Sequence, residues 1–162
     1  MQDFTQTFPT IAHYQLGLES DTFKIAAQLS NIMQPGDVVA LWGDLGVGKS
    51  TLARSLIQAL CGAETDVPSP TFTLVQMYNA SNFEIWHMDL YRLNAPEDVF
   101  ELGVEDAFYD CVSLIEWPNK MGGYLPLNRL DVVMEFDANN KTRKLCLQGD
   151  ESWANRLRGI AL

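Results

Sequence analysis

The sequence predicts a single α/β domain over residues 1–162, with a mostly parallel central sheet flanked by helices and with antiparallel hairpin strands. Two short runs, residues 38–42 and residues 111–117, are almost entirely apolar, which is typical of strands buried on both faces of a parallel sheet. A helical pattern follows the first run directly, and turn signals elsewhere separate pairs of strand-like segments. The composition, 47% apolar and 20% charged, is that of an ordinary globular domain.

Helical periodicity accounts for much of the remaining chain. Ser20 stands before apolar residues at helical spacing and predicts an N-terminal cap, whereas Gly62 stands where the second helix should end. Pro96 predicts the first turn of a third helix, which we expect Gly103 to break. The predicted helices cover about residues 21–33, residues 50–61, residues 96–108 and, near the C-terminus, a short stretch around residues 152–160.

The hairpins are predicted from two turn signals, residues 79–82 and residues 137–140, each of which lies between two strand-like runs. The Pro-Ser-Pro segment at residues 68–70 predicts an extended approach to the first hairpin. The strand after the first turn contains Glu84 and His87, so we expect that strand to be half-exposed.

The charge balance argues against direct, strong binding of nucleic acid. The chain has 21 acidic and 11 basic residues, a formal net charge of -10, so its field repels phosphodiester backbones and suits a basic protein partner. Cys61, Cys111 and Cys146 have no CxxC spacing and predict neither a metal site nor a disulfide. Residues 1–10 lack the pattern of a signal peptide, and no run approaches the roughly 18 apolar residues of a membrane span. We therefore expect a cytosolic protein without a membrane partner.

A phosphate-binding motif lies between the first apolar strand and the helix that follows it. Gly43, Gly48, Lys49 and Ser50 occupy the fixed positions of the Walker A pattern G-x-x-x-x-G-K-[ST]. The glycines allow backbone N–H groups to surround phosphate oxygens, and the N-terminus of the helix points its positive end at the anion. Lys49 supplies a charge for the β and γ phosphates, and Ser50 offers a hydroxyl to Mg²⁺. The motif and its context predict a P-loop NTPase fold that binds a nucleoside triphosphate with Mg²⁺.

P-loop proteins bring a second carboxylate to the magnesium from the end of a neighbouring buried strand. Glu116 and Asp89 both follow strand-like runs, and Glu116 ends the more apolar one, so it is the better candidate for the metal. Many P-loop ATPases place a catalytic glutamate directly after this acid, but Trp117 stands there. The group that activates water must then lie elsewhere, and Asp89 and Thr71 are the candidates.

Other interpretations of these residues stay open from the sequence alone. Asp89 could be a surface carboxylate or a partner of Arg92, and Thr71 could be an ordinary turn hydroxyl. His87 is better explained as a packed strand residue than as a base.

The base of the nucleotide is predicted to be adenine. GTP-binding P-loop proteins usually carry an Asn-Lys-x-Asp element, and the two Asn-Lys dipeptides here, at residues 119–120 and residues 140–141, lack the aspartate. Candidate contacts to the base are the segment before Leu16 and the hairpin tip at residues 137–141.

Several motifs together resemble one protein family. GDLGVGKST at residues 43–51, SPTFTLV at 69–75, HMDLYRL at 87–93, ELGVEDAF at 101–108 and LIEWP at 114–118 occur in the order and spacing of the bacterial TsaE (YjeE) family. The resemblance covers about residues 16–136. It implies a small P-loop ATPase needed to make N6-threonylcarbamoyladenosine at position 37 of tRNAs that read codons starting with A.

The resemblance also implies partners and a division of labour. In the family, TsaD transfers the threonylcarbamoyl group, and TsaE docks on the TsaB–TsaD dimer, where its ATP hydrolysis supports repeated turnover. The tRNA would then be held by the partners, which fits the acidic charge of this chain. SPTFTL would be a loop whose order depends on the γ-phosphate.

Carried onto this sequence, the resemblance assigns Mg²⁺ to Ser50 and Glu116, and catalytic or switch roles to Thr71 and Asp89 beside the P-loop residue Lys49. The family often has Thr in place of Ser50 and Ala in place of Val47. Both hydroxyls can meet Mg²⁺, and we expect Val47 to leave its backbone N–H available. The residues implied to bind ATP are Asp44, Leu45, Gly46, Val47, Gly48, Lys49, Ser50 and Thr51.

Two other functions use the same loop. A small-molecule kinase would pass the phosphoryl group to an acceptor, but it usually needs an arginine-rich lid, and no insertion of that size is visible. A nucleotide-dependent interaction switch would bind ATP with negligible catalysis. Because no second acid follows Glu116, we expect hydrolysis to be weak until a partner docks.

Overall fold

A computed structural model of the protein describes residues 7–160. The two ends of the predicted domain and most of the N-terminal stretch considered for a targeting signal lie outside the described residues. The strands are β1 (Thr10–Leu16), β2 (Val38–Trp42), β3 (Val75–Asn79), β4 (Glu84–Asp89), β5 (Val112–Glu116), β6 (Leu130–Phe136) and β7 (Arg143–Gln148). The α-helices are α1 (Glu19–Ser30), α2 (Lys49–Cys61), α3 (Val104–Asp110) and α4 (Glu151–Arg158), and 3₁₀ helices cover Pro96–Leu102 and Pro118–Tyr124.

The strands form one seven-stranded mixed sheet in the order β1-β7-β6-β2-β5-β4-β3. The four central strands, β6, β2, β5 and β4, run parallel to one another. The β3–β4 and β6–β7 hairpins and the β1–β7 pair are antiparallel. The predicted fold class is therefore confirmed.

The sheet has an apolar layer on each face. Along β2, Val39 and Leu41 belong to one buried cluster and Val38 and Ala40 to the other, because successive side chains of a strand point to opposite faces. Helix α2 packs into the first cluster through residues such as Leu56, whose full burial contributes about 1.5–3 kcal/mol before ordering costs. The α3 segment covers the second face. Both layers hold the central strands rigidly, so the strand ends are fixed in position.

Helix boundaries follow the predictions with local corrections. Helix α1 begins at Glu19, and Ser20 lies within its first turn, so the predicted cap is wrong. The Asp21 carboxylate accepts hydrogen bonds from the N–H groups of Gly17 and Leu18, at 3.0 and 2.9 Å, and so fixes the chain just before the helix. Gly62 ends α2 as predicted. The predicted break at Gly103 is confirmed, although the segment before it is a 3₁₀ helix.

The prediction of a half-exposed β4 is wrong. β4 lies between β3 and β5, and His87 is only 1% exposed and Asp89 only 6%. The segment ahead of β3 turns instead of running extended, since Leu74 has a φ of 65° and its N–H donates to the carbonyl of Pro70 at 2.7 Å. β1 is a strand that periodicity did not predict, and it exists through its pairing with β7.

Two findings concern the remaining predictions. Cys61, Cys111 and Cys146 are all free thiols. Within residues 7–160, no helix combines the length and the apolar character that crossing a membrane requires.

Candidate functional site

The P-loop connects the carboxyl end of β2 to the N-terminus of α2. Gly43 has a φ of 141°, and a Cβ atom there would lie 2.5 Å from the carbonyl oxygen of Met134, so only glycine fits. Gly46 also has a positive φ, 77°, with nothing within 4 Å of the position of its absent Cβ. The loop therefore passes close to β6 at its start and opens toward solvent at its tip. The first N–H groups of α2 have no partners within the helix, and the residues that carry them, 49–51, line the cavity beside the loop.

A cavity of about 210 Å³ lies in front of this loop. A larger groove, of about 700 Å³, lies between β1 and α4. It includes part of the segment before Leu16 that was a candidate for the base, but none of the residues predicted to bind phosphate or metal or to act in catalysis. We place the functional site in the smaller cavity because a lysine, hydroxyl groups and two carboxylates converge there. Its lining residues are Leu45, Gly46, Gly48, Lys49, Ser50, Thr51, Thr71, Asp89, Glu116 and Trp117.

Lys49 is buried at the first position of α2. Its ammonium donates hydrogen bonds to the carbonyl oxygens of Gly43 and, at 2.9 Å, Asp44. It also lies 4.1 Å from the centre of the Trp117 ring, within the range of a cation–π interaction. Burial lowers the pKa of Lys49 below its usual value, and the carboxylates of Glu116, Asp89 and Asp44 act in the opposite direction. The lysine is thus held by the loop at the edge of the phosphate-sized cavity.

Ser50 and Glu116 form a hydrogen-bonded pair across the cavity. The Ser50 hydroxyl donates to Glu116 Oε1 at 2.7 Å. Glu116 ends β5, which pairs with β2 in register Leu41 to Glu116, so the strand directly beside the P-loop strand delivers the carboxylate. Glu116 is only 2% exposed.

Asp89 lies beside Glu116 at the same end of the sheet. β4 and β5 are parallel, and their register pairs Asp89 with Glu116. Asp89 Oδ2 accepts a hydrogen bond from the Thr71 hydroxyl at 3.1 Å, and Oδ1 accepts one from the N–H of Tyr91 at 3.0 Å. The Ser69 and Thr71 hydroxyls are 2.7 Å apart. The two acids are therefore neighbours in one site, although the sequence presented them as competitors.

This geometry removes the alternatives that the sequence left open for Asp89 and Thr71. Asp89 is buried rather than a surface carboxylate, and Arg92 lies over the ring of Phe72, with 4.3 Å between its guanidinium carbon and the ring centre. The Thr71 hydroxyl is engaged with a buried acid and is more than a turn residue.

Sequence reasoning missed two members of the site. His87 is a packed strand residue, as predicted, but its Nε2 also lies 2.8 Å from Glu116 Oε2. A signal was available, because strand alternation puts His87 on the same face of β4 as Asp89. From the sequence, Trp117 was notable only because it stands where many P-loop ATPases have a catalytic glutamate. In the structure its ring contacts Lys49. Its φ of 58° lies in the left-handed region, which bulky residues rarely adopt.

Comparison with known proteins assigns the chain to a family. The family model described as "Threonylcarbamoyl adenosine biosynthesis protein TsaE" matches residues 16–145. The chain belongs to the TsaE family. The resemblance drawn from the sequence motifs is thereby confirmed.

Relatives in the TsaE family cover most of the chain. A protein of Rickettsia conorii is 44% identical over 133 residues, which are 82% of this chain and 75% of the relative. A Haemophilus influenzae protein is 42% identical over 109 residues, 67% of each chain, and one of Bacillus subtilis is 36% identical over 116 residues, 71% and 72%. All three are named tRNA threonylcarbamoyladenosine biosynthesis protein TsaE. A crystal structure of Bacillus subtilis YdiB has the same fold, with a TM-score of 0.74, 24% identity and 96% of both chains covered.

The segment matched to the TsaE family begins at the end of β1 and ends within β7, so it contains every residue of the cavity. Family membership and the P-loop make the chain a nucleotide-binding protein.

Val47, in the P-loop, packs into the core and does not offer its N–H to a ligand. Its side chain is fully buried in the core, and its N–H donates to the Asp44 carbonyl at 3.2 Å, so the expectation that this N–H is available is wrong for this conformation.

The donor atoms of the cavity fit Mg²⁺. Ser50 Oγ and the Glu116 carboxylate supply hard oxygen ligands 2.7 Å apart, and Asp89 is the neighbouring carboxylate. Within residues 7–160 no cluster of three or more His, Cys, Asp or Glu side chains is arranged to hold a metal ion. Mg²⁺ usually takes one or two protein carboxylates and completes its shell with phosphate and water oxygens.

Proposed function

We propose that this protein is a Mg²⁺-dependent ATPase that acts in the formation of threonylcarbamoyladenosine in tRNA, the process for which its relatives are named. The observation that carries the proposal is the single cavity in which the P-loop lysine, the Ser50–Glu116 pair and the Asp89–Thr71 pair meet. Each of these groups has a recognised task in transferring a phosphoryl group to water. The sequence has no insertion of the size of an arginine-rich lid, and water is the acceptor that we propose.

The binding residues have separate tasks. Lys49 and the N–H groups at the start of α2 would hold the phosphate chain, since they place positive charge at one side of the cavity. Ser50 and Glu116 would hold Mg²⁺ on the other side. When bound, the metal draws negative charge from the β and γ phosphate oxygens.

Asp89 is the residue that we assign to the attacking water. Its carboxylate is fixed by Thr71 and by the N–H of Tyr91, so its direction is set before substrate arrives. It would orient a water molecule toward the γ-phosphorus and accept its proton as the new P–O bond forms and the bond to ADP breaks. Thr71 and the exposed Phe72 belong to the same loop. Loss of the γ-phosphate on hydrolysis would then move this loop and change the protein surface around Phe72.

ATP is the proposed nucleotide, and its base would lie on the far side of the P-loop. A second cavity, of about 410 Å³, lies between the loop residues Gly43 and Asp44 and the β6–β7 hairpin, including Phe136 and Asn140. This supports the prediction that the hairpin tip contributes to the base site.

The proposed partners are TsaB and TsaD, with tRNA reached only through them. The net charge of -10 disfavours direct contact with tRNA and favours a basic protein surface. We place this activity in the cytoplasm, where the tRNA is found. Hydrolysis would be slow for the protein alone, because Trp117 stands where many P-loop ATPases have a catalytic glutamate after the metal-binding acid, and Asp89 would act without that second group.

The test is a tRNA modification assay with purified TsaB and TsaD, tRNA and a preformed threonylcarbamoyl donor, with and without this protein and ATP. We expect modified tRNA to accumulate beyond a single turnover only when both this protein and hydrolysable ATP are present. Multiple turnovers without this protein would refute the proposed role. If a non-hydrolysable ATP analogue supported full turnover, the protein would be an interaction switch and not an ATPase in this process.

A further inference from the structure

We propose that His87 is a positioning residue that holds the Glu116 carboxylate in the orientation that Mg²⁺ requires. The inference rests on the proposed function, because it takes Glu116 as a metal ligand. It concerns a residue outside the cavity lining, since His87 is only 1% exposed and reaches the site through Glu116 alone.

The two oxygens of Glu116 are held from two directions. Ser50 on α2 donates to Oε1 at 2.7 Å, and His87 on β4 lies 2.8 Å from Oε2 through its Nε2 atom. A bound metal would displace or share the Ser50 hydrogen bond, because Ser50 is itself a proposed ligand. The His87 contact would then be the one that keeps the carboxylate from rotating.

The hydrogen-bond pattern decides which ring nitrogen of His87 carries the proton. With Glu116 ionised, as a metal ligand is, a proton on Nε2 makes the contact with Oε2 a hydrogen bond, whereas the other neutral tautomer would set a lone pair against a carboxylate oxygen. Nδ1 is buried and has no hydrogen-bond partner among the described residues. An unpartnered acceptor costs less than a lone pair facing a carboxylate oxygen, so the tautomer that fits is the one in which Nε2 donates to Glu116.

Most of the neighbours of position 87 are apolar. The polar one is Gln76, its register partner on β3, whose amide donates to the Thr73 hydroxyl at 3.2 Å. Ile85, two residues earlier on the same face of β4, and Leu114, the register partner on β5, are both fully buried and apolar. An apolar side chain would suit this core and would avoid the unpartnered Nδ1. The donor is needed by Glu116, whose Oε2 would otherwise be buried without a partner.

A positioning role predicts a specific defect in metal binding. Partners that orient metal ligands typically contribute about 10–100-fold to metal affinity. The matched pair His87→Met and His87→Gln tests it, because the two side chains have similar length and only Gln can donate to Glu116. Ser113→Ala is the control, since Ser113 is a buried polar residue of β5 whose hydroxyl has no partner among the described residues.

The metal is measured with Mn²⁺, by electron paramagnetic resonance of the ADP-loaded protein, and ADP affinity is measured separately by calorimetry in EDTA. We expect the Mn²⁺ dissociation constant to rise about ten-fold in His87→Met, to stay within about three-fold of the parent in His87→Gln, and to be unchanged in Ser113→Ala. ADP affinity in EDTA should be the same in all four proteins.

Several results would overturn the inference. It fails if His87→Met binds Mn²⁺ as tightly as the parent, or if His87→Gln is as weak as His87→Met. A parallel loss of ADP affinity in EDTA would mean that His87 supports the fold and not the metal. If the parent itself showed no nucleotide-dependent Mn²⁺ site, the proposed function would fail, which distinguishes that outcome from a failure of His87 alone.

Discussion

Asp89 and Glu116 are register partners on two neighbouring parallel strands, and both carboxylates are buried at the same end of the sheet. Different neighbours hold them: Ser50 and His87 bind the oxygens of Glu116, whereas Thr71 and a backbone N–H bind those of Asp89. Adjacent acids with different partners can have different roles, one toward the metal and one toward water.

Replacing Glu116 should remove the metal dependence of nucleotide binding. In Glu116→Gln the side chain keeps its shape but loses its charge. We therefore expect the ratio of the ATP dissociation constants in EDTA and in Mg²⁺ to be at least about ten-fold smaller in the variant than in the parent. Calorimetric titration of ATP with Mg²⁺ and with EDTA measures the difference. Glu105→Gln is the control, because Glu105 is an exposed acid on α3 that lines neither cavity beside the P-loop. Equal Mg²⁺ dependence in Glu116→Gln and the parent would contradict the assignment.

Replacing Asp89 should separate binding from hydrolysis. Asp89→Asn can still accept from Thr71 but is no longer a base, so ATP affinity should change little while partner-stimulated hydrolysis falls about 10²–10⁴-fold. Phosphate release in the presence of TsaB and TsaD measures the rate. Asp106→Asn, at an exposed position of α3 that lines neither cavity beside the P-loop, is a control that should retain the rate. Full hydrolysis by Asp89→Asn would move the catalytic role to another residue.

We expect Lys49 to strengthen nucleotide binding but to lower the stability of the nucleotide-free protein. Its lowered pKa shows that burial makes the ammonium less favourable in the folded chain than in the unfolded chain. Lys49→Met should therefore keep or raise the melting temperature of the nucleotide-free protein. The same variant should lose the rise in melting temperature that ADP gives the parent. A variant less stable than the parent in the absence of nucleotide would contradict this reasoning.

Trp117 should report on the phosphate site. Phosphate binding would draw the Lys49 ammonium away from the indole ring, which it now faces at 4.1 Å, and should change the fluorescence of Trp117. The chain has four tryptophans, so Trp117→Phe is compared with the parent during an ADP titration. We expect the signal to disappear in Trp117→Phe while calorimetry still detects binding. An unchanged signal in the variant would assign the response to another tryptophan.

Cys111 should make the fold sensitive to alkaline pH. Burial and the nearby Asp110 and Glu84 raise the pKa of this thiol from 9.0 to about 11. Between these two pH values the thiol loses its proton in the unfolded chain and keeps it in the folded chain. The contribution of Cys111 to the free energy of unfolding is therefore fully present below pH 9 and falls as the pH rises toward 11.

Urea unfolding of the parent and Cys111→Ala between pH 9 and 10 tests this effect. At pH 9 the variant should have a lower free energy of unfolding than the parent, but this free energy should fall less between pH 9 and pH 10 than it does in the parent. Above pH 10, Tyr14 and Tyr78, whose pKa values are also raised by burial, would act in both proteins. Identical slopes below pH 10 would show that the thiol is not coupled to folding.

Local chemistry made the P-loop and the central strands predictable. The Walker A spacing depends on backbone conformations that only glycine adopts easily, and Gly43 and Gly48 have those conformations. Runs such as Val38–Trp42 are apolar throughout because a central parallel strand is covered on both faces. The partners at the site were less predictable, since they come from strands that are distant in sequence.

The sequence by itself determined the phosphate-binding loop, its helix, the buried strand that ends in Glu116, and the family to which the chain belongs. Only the tertiary structure decided that Asp89 lies beside Glu116, that His87 binds the far oxygen of that carboxylate, and that Trp117 lies against Lys49. The physical reason is the distance along the chain between the interacting residues. A motif records the conformations and charges of consecutive residues, whereas hydrogen bonds between strands depend on a register set by the packing of the whole sheet.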